Sequence, residues 1–166
     1  MNDSPVVSDM VNELAKLFKD LAGDYDYYVI DKNKVLLAYQ GLITIVRVLD
    51  VLGIETIYKL HHEKYASCAG HSIVKLDETE TYLLSYNKVD YGLPIIKTFN
   101  ISDNKIFEVD MLERQSDSSS YNELRVIDEK IFMLRTVDEN KVATLQRYKI
   151  NKNNEAVKVG EIKHFN

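Results

Sequence analysis

Val29-Ile30-Asp31-Lys32-Asn33-Lys34-Val35-Leu36-Leu37-Ala38-Tyr39 reads as strand, turn, strand. The flanks are β-branched, aliphatic and aromatic, the residue types that suit a pleated, buried surface. Between them, Asp31 and Asn33 have side chains short enough to bond their own backbone and reverse the chain. The pattern recurs twice. Lys75-Leu76-Asp77 precedes Tyr82-Leu83-Leu84-Ser85-Tyr86, and Val126-Ile127-Asp128 precedes Ile131-Phe132-Met133-Leu134. The three aspartates stand 46 and 51 residues apart, the spacing of a four-stranded structural unit.

Working outward from these hairpins, apolar residues alternate with a period of two from Tyr25 onward. Strands are expected near 25–30, 34–39, 42–50, 54–62, 71–76, 81–87, 94–101, 105–112, 122–127, 131–137, 141–150 and 155–165. Turn chemistry separates them, as in Ser102-Asp103-Asn104, Asp138-Glu139-Asn140 and Asn151-Lys152-Asn153-Asn154. Short connections make consecutive strands pair antiparallel. In the last strand Val157, Val159 and Phe165 fall on one face and Lys158 and His164 on the other, so one sheet face is expected to be wet. The fold class is therefore mainly β, an antiparallel meander of about twelve strands. Three four-stranded units resemble propeller blades in layout, and a barrel or sandwich meander fits the same pattern. Kelch-type glycine pairs are missing, and a chain without tryptophan has no Trp-Asp signature of WD40 repeats.

The first 24 residues read differently. Ser8 is a good helix N-cap, and Met10, Val11, Leu14, Leu17, Phe18 and Leu21 form one apolar stripe at a period of 3.6. Gly23 supplies the stop. The expected organisation is an N-terminal amphipathic helical segment over 1–24 and one antiparallel β domain over 25–166. The polar, Ser-rich stretch 114–120 is expected to be a mobile loop.

Composition narrows the function more than it names it. A chain of 166 residues can bury a core without disulfides, and a single cysteine, Cys68, excludes a disulfide framework. Met1-Asn2-Asp3-Ser4-Pro5 has neither a basic n-region nor an apolar run, and the longest apolar stretch, Gly41 to Gly53, is interrupted by Thr44, Arg47 and Asp50. A cytoplasmic chain without a membrane span is expected. A formal net charge of −5 argues against binding the phosphate backbone of nucleic acids. Phosphate loops, dinucleotide fingerprints, H-E-x-x-H and G-x-S-x-G are all absent.

One stretch concentrates metal-ligating and nucleophilic side chains: His61-His62-Glu63-Lys64-Tyr65-Ala66-Ser67-Cys68-Ala69-Gly70-His71. Imidazole and thiolate are natural zinc ligands, and Cys68 and His71 have a chelating C-x2-H spacing. His61, Cys68 and His71 are thus candidate zinc ligands. His61 and His62 point to opposite faces of a strand, so only one of them joins. The same loop offers a Cys–His pair for thiol chemistry, and an ordinary polar loop is the commoner reading of such a stretch. The second feature is eleven tyrosines. Tyr25, Tyr27, Tyr39, Tyr58, Tyr82 and Tyr86 are candidates for a partner-binding surface, because tyrosine offers area at low entropic cost; cross-strand packing is the alternative.

These readings favour a non-enzymatic interaction module that binds a protein partner or forms a homo-oligomer, with no nucleic acid and no membrane as partner. A small zinc- or thiol-dependent enzyme on the 61–71 loop is the second reading. An acidic inhibitor or immunity-type protein is the third.

Overall fold

The computed structural model describes residues 24–49, 53–64, 68–76, 79–88, 93–113, 119–128, 130–138, 140–153 and 155–164. The helix expected within 1–24 lies outside them. Among the described residues twelve strands follow in order: β1 (Tyr25–Asp31), β2 (Lys34–Tyr39), β3 (Leu42–Leu49), β4 (Gly53–His61), β5 (Cys68–Lys75), β6 (Thr81–Lys88), β7 (Leu93–Ser102), β8 (Lys105–Glu113), β9 (Ser119–Val126), β10 (Ile131–Asp138), β11 (Ala143–Ile150) and β12 (Ala156–His164). They form three four-stranded antiparallel sheets, β1–β4, β5–β8 and β9–β12, each a simple meander. The protein is mainly β, as the alternation requires. Among the described residues no helix is long and apolar enough to cross a membrane.

The echo of Asp-led hairpins has a shared atomic basis. Asp31 Oδ1 accepts from the backbone N–H groups of Asn33 and Lys34, at 3.0 and 3.1 Å. Asp128 Oδ1 accepts from those of Lys130 and Ile131, again at 3.0 and 3.1 Å. The side chain replaces two backbone acceptors lost where the chain reverses. In the middle unit Asp77 is outside the described residues, and Thr79 Oγ1 accepts from the Thr81 N–H while donating to the Leu76 carbonyl.

The three sheets stack. The first core lies between the first and second sheets, where Leu36, Ala38, Ile43 and Ile45 meet Ile73, Tyr82, Leu84, Tyr86, Ile95 and Phe99. The second lies between the second and third, where Leu76, Leu83 and Ile96 meet Leu124, Phe132, Leu134, Tyr148 and Ile150. Strand β6 is buried from Tyr82 through Asn87, because both faces of its sheet are covered. Neighbouring sheets are also joined along β1, β5 and β9. Asp26 on β1 accepts from the Ile73 N–H on β5 at 2.7 Å, and Ser72 Oγ on β5 accepts from the Leu124 N–H on β9 at 3.0 Å. Burial without a partner would leave these backbone donors costly, so the side chains fix one sheet beside the next.

The two ends of the stack differ. On the first sheet's far face Val35 and Val46 are 0% exposed, and Leu37 and Thr44 are buried with them. On the third sheet's far face Ile162 is 67% exposed, and Ile127 and Val157 are also exposed.

Two strand starts differ from the sequence expectation by three residues, and the other boundaries by two or fewer. Strand β5 begins at Cys68, three residues early, because a bulge at Gly70 (φ +67°) lets the strand continue past an irregularity between Ala69 and Ser72. Strand β9 begins at Ser119, so Ser119 and Ser120 belong to a sheet and not to the loop expected over 114–120. The last strand also departs from simple alternation. A bulge opposite Arg147 and Tyr148 places Val159 out of register, so Val157 shares the far face with Ile162.

Candidate functional site

The described parts of the histidine-rich stretch, 61–64 and 68–71, form a polar seam between the first and second sheets. After β4 the chain folds over the β2–β3 turn, where the Gly41 carbonyl accepts from the N–H groups of His62 and Glu63. That places Glu63 against the second sheet. Tyr86 on β6 donates its hydroxyl to Glu63 at 2.7 Å, and Lys88 and Lys97 stand 3.3 and 3.7 Å from the same carboxylate. Burial alone would raise the Glu63 carboxyl, but the Tyr86 hydrogen bond and the two ammonium groups hold it below its usual range. Burial first, and then the same bond, push the Tyr86 phenol above its ordinary range. Lys97, only 3% exposed along its side chain, also pairs with Glu108 at 2.7 Å and donates to the His62 carbonyl at 2.7 Å.

His71 is locked. Its Nδ1 lies 3.1 Å from Asp24 and its Nε2 lies 2.9 Å from the Gln40 carbonyl. Asp24 also accepts from the N–H groups of Gly70 and His71. Burial works against its charge, but these hydrogen bonds outweigh burial and hold the carboxyl below its usual value. Asp26 goes the other way: burial raises its carboxyl and the backbone bonds only partly offset this. His62 sits edge-on between the rings of Tyr86 and Phe99, at 5.1 and 5.8 Å, with neither ring nitrogen hydrogen-bonded. Burial first, and then the positive charge of Lys97, push its imidazole down to about 3.

These placements bear directly on the candidate ligands. Both nitrogens of His71 are engaged, Cys68 is buried, and His61 is exposed at the end of β4. Among the described residues no group of three or more His, Cys, Asp or Glu side chains is placed to hold a metal ion, so the structure does not gather His61, Cys68 and His71 into a zinc site. Burial and the nearby Glu63 push the Cys68 thiol up to about 11, which leaves almost no thiolate at neutral pH. The seam's polar groups are spent on joining strands.

The tyrosines divide. Tyr39, Tyr82 and Tyr86 are buried and present no surface to a partner; Tyr82 stacks edge-on with Tyr28 at 5.5 Å. Tyr27 and Tyr58 are half-buried, packed beside the cores, and Tyr25 is exposed at the start of β1.

The open surface is elsewhere. On the far face of the third sheet the register sets out three cross-strand rows. One row is Ile127, Ile131, Lys149 and Val157; the next is Arg125, Met133, Arg147 and Gly160; the third is Glu123, Arg135, Leu145 and Ile162. Apolar side chains thus flank a basic centre. Glu123 pairs with Arg125 at 2.6 Å and lies 3.9 Å from Arg135. The three rows hold four basic side chains and one carboxylate, with Arg125 and Arg135 paired to Glu123. The sequence carried the signal for this face in the alternation Glu123-Leu124-Arg125 and Leu145-Gln146-Arg147-Tyr148-Lys149, but only the pairing shows that these residues meet.

No family model and no curated protein matches the chain. One solved structure that matches, described as "KlHsv2 with loop 6CD replaced by a Gly-Ser linker", is 7% identical, with 82% of this chain and 70% of that chain covered and a TM-score of 0.26. A likeness at that TM-score carries no argument about this chain.

Proposed function

We propose that this chain is a non-enzymatic protein-interaction module in which three propeller-blade-like sheets present one uncovered face to a partner. The observation that carries the reading is the asymmetry of the stack. The far face of the first sheet is closed over Val35 and Val46, while that of the third exposes Ile127, Val157 and Ile162. Sheets in a stack bury both faces when a neighbour is present, as β6 does. Exposed apolar side chains gathered on one sheet face are a common mark of an interaction surface. The side chains from which an enzyme would be built support catalysis poorly. Cys68 is buried with a raised thiol, His71 is tied at both nitrogens, and Lys97 is held by two carboxylates.

A photoreactive amino acid placed at position 162 tests this, with position 152 in the β11–β12 turn as control. Irradiation in native lysate is expected to give a discrete adduct from position 162 and none from 152. Equal labelling from both positions, or no adduct from 162, would remove the basis for a docking face.

A further inference from the structure

We infer that the far face of the third sheet docks a protein surface that is itself apolar and carboxylate-rich, an inference that rests on the interaction-module reading. The chemistry follows from the three rows. Arg125, Arg135, Arg147 and Lys149 project from three adjacent strands among Ile127, Ile131, Met133, Leu145, Val157 and Ile162. Glu123 is the one acid on those rows, and it lies between Arg125 and Arg135. Arg147 and Lys149 are exposed and lie two residues apart on β11, so both point outward. Gly160 sits opposite Arg147, and a Cβ there would meet only the Arg147 Cβ, at 4.0 Å. That leaves a shallow gap beside the guanidinium into which a carboxylate can reach.

Complementarity selects the occupant. A second copy meeting this face with the same face would set four basic groups against four, which opposes a symmetric dimer. A second copy offering its first sheet has no uncovered apolar face there, since Val35 and Val46 are already buried. An anionic bilayer presents an extended charged plane to the whole chain and its −5, whereas a protein partner within a screening length of this face meets only its basic groups. A protein surface with an apolar stripe flanked by Asp or Glu matches both the apolar border and the positive centre. Arginine and carboxylate then pair in a bidentate fork, on ground from which the apolar border excludes water.

The test uses the full chain and two short synthetic peptides, one alternating Glu and Val and one alternating Lys and Val. Fluorescence anisotropy measures binding, and amide chemical shifts locate it. Saturable binding of the Glu/Val peptide is expected, with shifts confined to β9–β12 and no binding of the Lys/Val peptide. Arg147→Glu and Lys149→Glu should each weaken it about tenfold, and raising salt to about 1 M, where the screening length falls to about 3 Å, should weaken it further. Should either reversal unfold the chain, Arg147→Gln and Lys149→Gln replace them with the same direction expected. Equal binding of both peptides, no binding, shifts outside β9–β12, or tighter binding to phosphatidylserine vesicles than to the Glu/Val peptide would each overturn the inference. If the peptides fail while position 162 still crosslinks, the module reading stands and the acidic partner falls; if both fail, both fall.

Discussion

At the scale of single residues, the seam between the first and second sheets makes the sharpest predictions. His62 is held neutral, with its folded-state value near 3 against about 6.5 for a free imidazole. The unfolded chain therefore binds a proton that the folded chain refuses between those values. Stability from this group is complete above pH 6.5 and is lost as pH falls toward 3, at about 1.4 kcal/mol per pH unit. Asp24 and Asp26 also titrate with shifted values, but both are present in the wild type and in His62→Phe, so the difference between the two isolates the histidine. Denaturant unfolding at pH 7 and pH 5 should show His62→Phe losing less stability on acidification than the wild type. An identical loss would contradict the placement of His62 between Tyr86 and Phe99. Lys97 makes a second case. Removing a buried ammonium strands Glu63 and Glu108, so Lys97→Ala is expected to cost about 3–5 kcal/mol in urea unfolding. Tyr86→Phe deletes only the 2.7 Å bond to Glu63 and should cost about 1–3 kcal/mol. A Lys97→Ala cost no larger than that of a surface lysine would show that the seam is wet.

At the scale of elements, most of the twelve strands were legible because each uses ordinary alternation and ordinary turn residues. The Asp31 and Asp128 turns show why: one carboxylate organises each reversal, and its position is written in the sequence. What escaped was irregular. The bulge at Gly70 extends β5 back to Cys68, and the bulge in β12 moves Val159 out of the alternation that groups it with Val157 in the sequence. A bulge changes which face a side chain takes without changing composition, so periodicity alone does not reveal it. Spacing is equally silent about the candidate zinc ligands, which are not gathered among the described residues. Their spacing was suitable, but Asp24 and Gln40, distant in sequence, claimed both nitrogens of His71. At the tip of the β2–β3 turn, an added Cβ on Gly41 would lie 2.1 Å from the Glu63 backbone oxygen. Because backbone must shift to admit it, Gly41→Ala is expected to lower the thermal midpoint by several degrees, at a cost of about 1–3 kcal/mol. An unchanged midpoint would mean that the 62–64 segment does not seat on that turn.

For the molecule as a whole, the meander was readable from short connections, but the stacking was not. Alternating apolar residues require a covered face; they do not state what covers it. The order follows from side chains that cross between sheets, Asp26 to the Ile73 backbone and Ser72 to the Leu124 backbone. Neither residue type is distinctive in a sequence rich in polar turns. The functional surface is likewise a property of the assembly: Arg125, Arg135 and Arg147 are scattered in sequence and meet only because β9, β10 and β11 pair in this register.

The most direct measurement compares the two ends of the stack by thiol labelling. Cys68 is buried and its thiol is raised to about 11, so it contributes a slow background. Ile162→Cys should react at nearly the rate of an unfolded thiol, while Val46→Cys should react only on the timescale of unfolding. Comparable protection at both positions, or rapid reaction at Val46→Cys, would contradict a stack closed over the first sheet and open at the third.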